Sequence, residues 1–317
     1  MSHIPILLGT AQLGAPESGG RVSDKTVVQE LVDIMLKHGH IGIDTARIYG
    51  QGTSEELIGT LDFRDVARVD TKIRALNPGD FSAARIKEQF KECVAALNGK
   101  KIRVLYLHTP DRSVPFEDTL QGLTDIWKYG GFEEFGLSNF MAWEVAEIAG
   151  LCAQHGFVPP TVYEGGYNIV DRQIEAELLP CLRKLHIRFA AFCPLAGGLL
   201  TDSSAAAAPP NFSPARSYVA SYYTERYMRP AITTAVAELL QVVQAHGLPL
   251  AEVALRWLQW HSMLRPDDHG VIVAADSGAQ LEANLTDCEK GPLPEAVAQA
   301  CEDAWGKVKG DAPNYWV

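Results

Sequence analysis

The sequence predicts one eight-stranded α/β barrel, the (β/α)8 TIM-barrel architecture, with an inserted loop after strand seven and a C-terminal helix and tail. Three observations carry that expectation. Short β-rich apolar runs alternate with longer helical patterns along nearly the whole chain. Several of those runs end abruptly in polar residues, as barrel strands do where they open onto a site. The first strand is followed by Gly9, Gly14 and then Ala15-Pro16-Glu17, which lacks the Gly-x-Gly-x-x-Gly spacing of an open dinucleotide-binding sheet. A length of 317 residues, 47% of them hydrophobic, suits a single barrel domain spanning residues 1–317.

Taken in order, Ile4 to Leu8 is the first strand, ended by Gly9-Thr10. Asp24 is placed to cap a helix carrying Val27, Leu31, Ile34 and Met35 at helical spacing. The apolar run Ile41-Gly42-Ile43 ends in Asp44 and reads as a strand buried on both faces. Beyond Tyr49-Gly50, Ser54-Glu55-Glu56-Leu57 opens a short helix, and the third strand leads from Val69 into Asp70-Thr71-Lys72. Asn77-Pro78-Gly79-Asp80 marks a loop before a helix from about Ser82 to Leu97. Val104-Leu105-Tyr106-Leu107 ends in His108, and Pro115 starts a helix reaching about Tyr129. The fifth strand, Phe132 to Leu137, delivers Ser138 and Asn139; a helix from Ala142 to His155 follows, and Pro159-Pro160 stops it. Strand six is Thr161-Val162-Tyr163-Glu164, its helix Gln173 to Leu185, and strand seven Phe189-Ala190-Ala191-Phe192-Cys193.

Residues 202–230 interrupt the alternation with Ser203-Ser204, an alanine run, Pro209-Pro210 and the tyrosines Tyr218, Tyr222, Tyr223 and Tyr227. The stretch is too polar and too punctuated for a core element. It is expected either to lie over the barrel mouth or to be a merely tolerated loop. Helical signals resume at Ile232, Val236, Leu239 and Val243 and again from Leu250 to Trp260. Val271-Ile272-Val273 is the last strand, and Leu293 to Lys307 an amphipathic helix.

Composition excludes several classes of function. Lys+Arg 28 against Asp+Glu 39 gives a formal charge of -11, with no basic run, which argues against nucleic acid and anionic membrane surfaces as partners. No apolar segment approaches the roughly 20 residues that span a bilayer, and the amino terminus carries no signal-peptide pattern. Cys93, Cys152, Cys181, Cys193, Cys288 and Cys301 are scattered without a Cys-x-x-Cys pair. They read as reduced thiols of a cytoplasmic protein, with no metal site expected.

Asp44, Tyr49, Lys72 and His108 thus each stand at or just beyond a strand end. Singly, each has a bland reading: a turn aspartate, a surface tyrosine, a solvated lysine, a satisfied histidine. In identity and order, however, the four resemble the catalytic tetrad of the aldo-keto reductase superfamily, and the resemblance covers nearly the whole chain. It is nearest to the aflatoxin-aldehyde and succinic-semialdehyde reductase branch, through Leu8-Gly9-Thr10, Gly136-Leu137-Ser138-Asn139-Phe140, Tyr167-Asn168, Pro194-Leu195-Ala196-Gly197-Gly198-Leu199-Leu200 and Pro313-Asn314-Tyr315-Trp316. The resemblance implies reduction of aldehydes or reactive ketones by hydride from NADPH. Tyr49 is then the general acid, Lys72 the cation that eases phenolate formation, Asp44 the group orienting Lys72, and His108 a second donor to the carbonyl.

For the cofactor, the resemblance implies Ser138, Asn139 and Glu164 at the nicotinamide carboxamide and Phe192 against its ring. Cys193, Leu195 and Gly197 are expected near the pyrophosphate, and Asp276, Ser277, Gln280 and Asn284 in the adenosine loop. Glu164 stands where the family commonly has glutamine and Phe192 where it commonly has tyrosine. Asp276 is an acid beside an expected 2′-phosphate, which opens NADH as an alternative to NADPH. Tyr223, Arg226 and Trp316 are the expected substrate contacts. The branch's C-terminal arginine is replaced by Val317, which predicts a less cationic, more aromatic pocket favouring neutral carbonyl compounds over acidic semialdehydes. The partner is a small-molecule carbonyl substrate, and the expected state a monomer or homodimer. The competing reading is a non-catalytic cofactor-sensing subunit, like the β subunits of potassium channels; the lack of an extended interaction segment at either end counts against it.

Overall fold

The computed structural model describes residues 2–202 and 217–317, with side chains from residue 221 onward in the second stretch. The expectations placed on Ser203-Ser204, Pro209-Pro210 and the Tyr218 side chain therefore lie outside the described residues. Eight parallel strands close on themselves in sequence order: β1 Ile6–Gly9, β2 Gly42–Asp44, β3 Arg68–Ile73, β4 Ile102–Leu107, β5 Phe132–Ser138, β6 Pro160–Gly166, β7 Arg188–Phe192 and β8 Gly270–Val273. Closure by the β1–β8 pairing leaves no sheet edge, as the (β/α)8 expectation required.

The helices are α1 Lys25–Lys37, α2 Thr53–Gly59, α3 Ala83–Ala96, α4 Phe116–Lys128, α5 Ala142–His155, α6 Leu178–Lys184, α7 Ser217–Tyr227, α8 Pro230–Ala245, α9 Leu250–Trp260, α10 Gly278–Glu289 and α11 Glu295–Val308. Asp24 caps α1 by accepting from the Thr26 amide at 2.7 Å, and the helix buries Val28, Leu31, Val32 and Met35. Among the described residues no helix is long and apolar enough to cross a membrane.

Two elements differ from expectation. The single helix expected from Gln173 to Leu185 is a 3-10 turn at Gln173–Glu175 followed by α6, with Glu177 at φ -133 between them. The Glu177 carboxylate there accepts a 2.6 Å hydrogen bond from Tyr315 of the C-terminal tail. The expected irregular insertion contains an ordered helix, α7, in its second half.

The barrel interior is filled in layers. Leu7, Ala190 and Ile272 form one apolar cluster with Phe192 against it, and Val104, Tyr106 and Val162 another. Deeper in the barrel, Arg103 grips Asp70 with both arms at 2.7 and 2.5 Å, and His269 Nε2 lies 2.8 Å from the same carboxylate. Burial acts to raise the Asp70 pKa, but His269 and Arg103 outweigh it and hold the carboxyl at about 2. The charges in this lower layer are thus matched within it.

Candidate active site

The floor of the site is set by strand register. Asp44 aligns with Asp70 on β3, so Lys72, two residues further along β3, points to the same face one layer higher. Its side chain is fully buried, and Nζ donates to Asp44 Oδ1 at 2.6 Å, Oδ2 at 2.7 Å and the Thr45 carbonyl at 3.0 Å. Three bonds use all three ammonium protons. Glu164 on β6 brings Oε2 to 3.2 Å from the same nitrogen, yet Oε2 receives no hydrogen bond.

Tyr49 and His108 stand above this cluster. Their rings meet edge to face at 5.9 Å, and Lys72 Nζ lies 5.4 Å from the Tyr49 ring centre. The loop backbones are tied to the barrel: Arg47 N donates to Lys72 O at 3.0 Å and His108 N to Ile73 O at 2.8 Å. A second clamp runs from Arg47 to Glu55 at 2.7 Å and from Glu55 to Thr71 at 2.6 Å. This clamp explains Gly52, where a Cβ would come within 2.1 Å of the Arg47 guanidinium in a backbone at φ +99. Asp44, Tyr49, Lys72 and His108, separated by up to 64 positions in the chain, are therefore brought together by the fold.

The electrostatics differ from the simplest expectation at Tyr49. Burial opposes the charge on Lys72, but its neighbours, the directly bonded Asp44 first, outweigh it and raise the lysine pKa, so the ammonium is held. Burial raises the Tyr49 phenol, and the opposing effect of Lys72 does not cancel it because Asp44 adds to the rise. The resting phenol is therefore fully protonated rather than poised to ionise. His108 is pushed well below the ordinary imidazole range by burial and then by Lys72 and Arg74, so it is neutral; its Nδ1 is buried without a hydrogen-bond partner.

Around this centre the other expected residues fall into two groups. Ser138 pairs in register with Glu164, and Asn139, at φ +64, donates from Nδ2 to the His108 carbonyl at 2.9 Å and to Ser138 Oγ at 3.0 Å. Phe192 closes β7 opposite Gly166. Cys193, at φ +56, leads into the turn with Leu195, Ala196 at φ +48 and Gly197 at φ +68. The Tyr223 ring lies where a Cβ on Gly197 would be, at 2.6 Å. The second group opens α10: Ser277 Oγ accepts from the Gln280 amide at 3.3 Å, Gln280 Oε1 accepts from the Asp276 amide at 2.9 Å, and Asn284 Nδ2 is buried without a partner.

A family model described as the aldo/keto reductase family matches residues 5–305. The chain belongs to that family. It is 38% identical over 319 residues to aldo-keto reductase family 7 member A3 of Homo sapiens, covering 96% of each chain. It is 36% identical to aflatoxin B1 aldehyde reductase member 2 of Mus musculus, over 96% of this chain and 86% of that one. An aldo-keto reductase of Pseudocercospora fijiensis is 38% identical over 90% of this chain and its own full length. The protein is accordingly an NAD(P)H-dependent oxidoreductase that acts on carbonyl compounds.

Elsewhere this aldo-keto reductase has contacts that its sequence does not announce. Arg226 is one of the expected substrate contacts. Its fork holds Asp171 at 2.7 and 3.2 Å and its third arm the Asn314 carbonyl at 2.9 Å, with only a tenth of the side chain exposed. A substrate carboxylate would have to compete with Asp171 for this guanidinium. Asp276, expected in the adenosine loop, holds Arg21 with its carboxylate at 2.7 and 3.0 Å. Trp316 is half-buried against the main core, while Tyr315 anchors the tail through the Ala142 amide at 3.1 Å and Glu177.

Three participants, Gln12, Arg21 and Arg112, were not singled out from the sequence. Gln12 bridges the β1 and β8 ends by donating to the Ala275 carbonyl at 2.9 Å, leaving Oε1 buried and unpartnered. Arg21 reaches Asp276 across 255 positions. Arg112 grips Glu144 at 2.7 and 3.2 Å and the Val317 carbonyl at 2.9 Å, and the Val317 amide donates to Asn139 O at 3.3 Å, which ties the tail to the site. Of these, only Asp111-Arg112, close after His108, had a local signal: charge soon after a strand end.

Proposed function

We propose that this enzyme reduces aldehydes or reactive ketones with NADPH, using Tyr49 as the general acid. The observation that carries the reading is the fully buried Lys72, bonded to Asp44 and set against the Tyr49 ring. A lysine is almost never buried without a task or a partner, and this one faces a phenol. Asp44 orients Lys72 and keeps it charged. Lys72 lowers the energy of the phenolate that Tyr49 becomes as it protonates a developing alkoxide. His108, neutral, is left able to donate a hydrogen bond to the same oxygen.

The residues present fit a nicotinamide dinucleotide. Glu164 Oε2, His108 Nδ1, Asn284 Nδ2 and Gln12 Oε1 are buried polar atoms without hydrogen-bond partners, an arrangement that is costly unless a ligand completes it. When bound, the cofactor supplies the hydride. Ser138, Asn139 and Glu164 would hold its carboxamide, Phe192 its ring, the turn at Cys193, Leu195 and Gly197 its pyrophosphate, and the 276–284 segment with Arg21 its adenosine end. NADPH is favoured over NADH because Arg21 places a guanidinium beside Asp276 and answers the acid that a 2′-phosphate would otherwise meet.

For the substrate, the neutralised Arg226 and the neighbouring Tyr223 and Trp316 favour uncharged, aromatic carbonyl compounds over short acidic semialdehydes. A relative named as an aflatoxin B1 aldehyde reductase accords with a polycyclic aldehyde as substrate. Oxidation of NADPH, followed by its absorbance with a panel of aldehydes, tests the whole reading. Turnover of aromatic aldehydes with higher kcat/KM than succinic semialdehyde is expected. Tight cofactor binding with negligible turnover of every carbonyl would overturn it.

A further inference from the structure

Glu164 gives the buried cluster one carboxyl more than it has cations for. From β2 comes Asp44, from β3 Lys72 and Asp70, from β4 the Tyr106 phenol and the neutral His108, and from the loop after β2 the Tyr49 phenol. The adjoining strands β5 and β7 bring Ser138 and Ala190 in register with Glu164, neither of them charged. Asp70 is matched by Arg103 and His269 in its own layer. That leaves Asp44 and Glu164, both at most 4% exposed at the side chain, sharing Lys72 alone. The geometry shows which carboxyl is the odd one out. All three Lys72 protons go to Asp44 and Thr45, so an ionised Glu164 Oε2 would be a buried acceptor with no donor. A protonated Glu164 removes the surplus charge and turns that oxygen pair into a donor as well as an acceptor.

We infer that Glu164 carries a proton in the resting site and that this proton is linked to the charge of the bound nicotinamide, being kept beside the neutral reduced ring and released to solvent beside the cationic oxidised ring. The inference rests on the nicotinamide site proposed above. Its physical basis is charge balance in a site with little water. With the oxidised ring present there are two buried cations, Lys72 and the pyridinium, for two carboxylates; with the reduced ring there is one. Burial, then Asp44, push the Glu164 carboxyl well above its ordinary range in the absence of ligand, leaving room for a cation to bring it down. Only an acid–base equilibrium of one side chain is involved: the O–H bond of the Glu164 carboxyl breaks and its proton goes to bulk water. A glutamine at this position offers the same hydrogen bonds without titrating.

By linkage, the ligand state that favours ionised Glu164 gains affinity as pH rises, by up to about tenfold per pH unit between the two pKa values. Dissociation constants for NADPH and NADP+ are measured by protein fluorescence from about pH 5 to pH 9, bracketing a raised carboxyl. The 2′-phosphate and its own titration are common to both ligands and cancel in the ratio of the constants. The expected result is that Kd(NADPH)/Kd(NADP+) rises with pH in the wild type and is flat in Glu164→Gln. A merely structural role for Glu164 would move both constants together and leave the ratio's slope unchanged. A flat wild-type ratio, or the same slope in both proteins, overturns the inference while leaving the nicotinamide site standing. Binding of neither dinucleotide removes that site and the inference with it. Should Glu164→Gln not fold, the wild-type ratio decides alone.

Discussion

Replacing Lys72 with methionine keeps most of the side-chain volume and removes the charge, so its consequences follow from the contacts of one nitrogen. Lys72 Nζ is bonded to both oxygens of Asp44, which is 3% exposed. Removing the cation from a buried pair leaves an uncompensated carboxylate and costs about 3–5 kcal/mol. Asp44 would respond by binding a proton, which sets the sign of the pH dependence. In Lys72→Met the folded-state pKa of Asp44 lies above the unfolded value near 3.9, so the folded state holds a proton that the unfolded chain gives up. The penalty is absent below that pH and grows by about 1.4 kcal/mol per unit as pH rises toward the folded pKa.

Denaturant unfolding of the wild type, Lys72→Met and the double variant Lys72→Met/Asp44→Asn is the assay. The single variant is expected to lose about 3 kcal/mol or more at neutral pH and progressively less as pH falls toward 4. The double variant, with neither charge, recovers most of that stability. Activity behaves oppositely: both variants lose kcat by roughly 10²-fold or more, because neither has the ammonium that eases ionisation of Tyr49. A Lys72→Met protein as stable as the wild type at neutral pH, or a double variant that regains turnover, would contradict these roles for Lys72.

Two other outcomes follow from ion pairs that the sequence did not reveal. Asp276→Ser removes a like charge from beside the Arg21 guanidinium, so the NADPH/NADH ratio of kcat/KM should rise; with Asp276 45% exposed at the side chain, solvent screening limits the gain to roughly tenfold. An unchanged ratio would place the 2′-phosphate elsewhere. Arg226→Ala strands Asp171, which is 1% exposed, and should lower stability by about 3–5 kcal/mol without selectively raising KM for acidic aldehydes. A selective loss of succinic semialdehyde turnover would show that Arg226 binds substrate after all.

How much of this was legible in the chain depends on range. β4 with α4, and β5 with α5, were readable because their apolar periods and stop signals, Pro115 and Pro159-Pro160, are local. The break between Glu175 and Leu178 was not, because the Glu177 carboxylate there answers a tyrosine 138 positions away. At the site, the residue types at the strand ends pointed to Asp44, Tyr49, Lys72 and His108, since barrel topology puts every strand's C-terminal end on one face. What those side chains do to one another was hidden. Nothing near Arg226 in sequence announces Asp171, 55 positions earlier, and nothing near Asp276 announces Arg21. The protonated state of Tyr49 also needed three dimensions, because Lys72 alone suggests an acidic phenol and only burial and Asp44 reverse the sign.

In the proposed mechanism Tyr49 donates the proton while the other residues hold the cofactor and the charge. Rapid mixing of Tyr49→Phe, preloaded with NADPH, against an aromatic aldehyde tests it most directly, since hydride transfer is read from nicotinamide absorbance in one turnover and Kd for NADPH from fluorescence of the same sample. The predicted result is a single-turnover rate lower by roughly 10²-fold or more, with Kd for NADPH changed by less than about twofold. A variant that transfers hydride at the wild-type rate would contradict it.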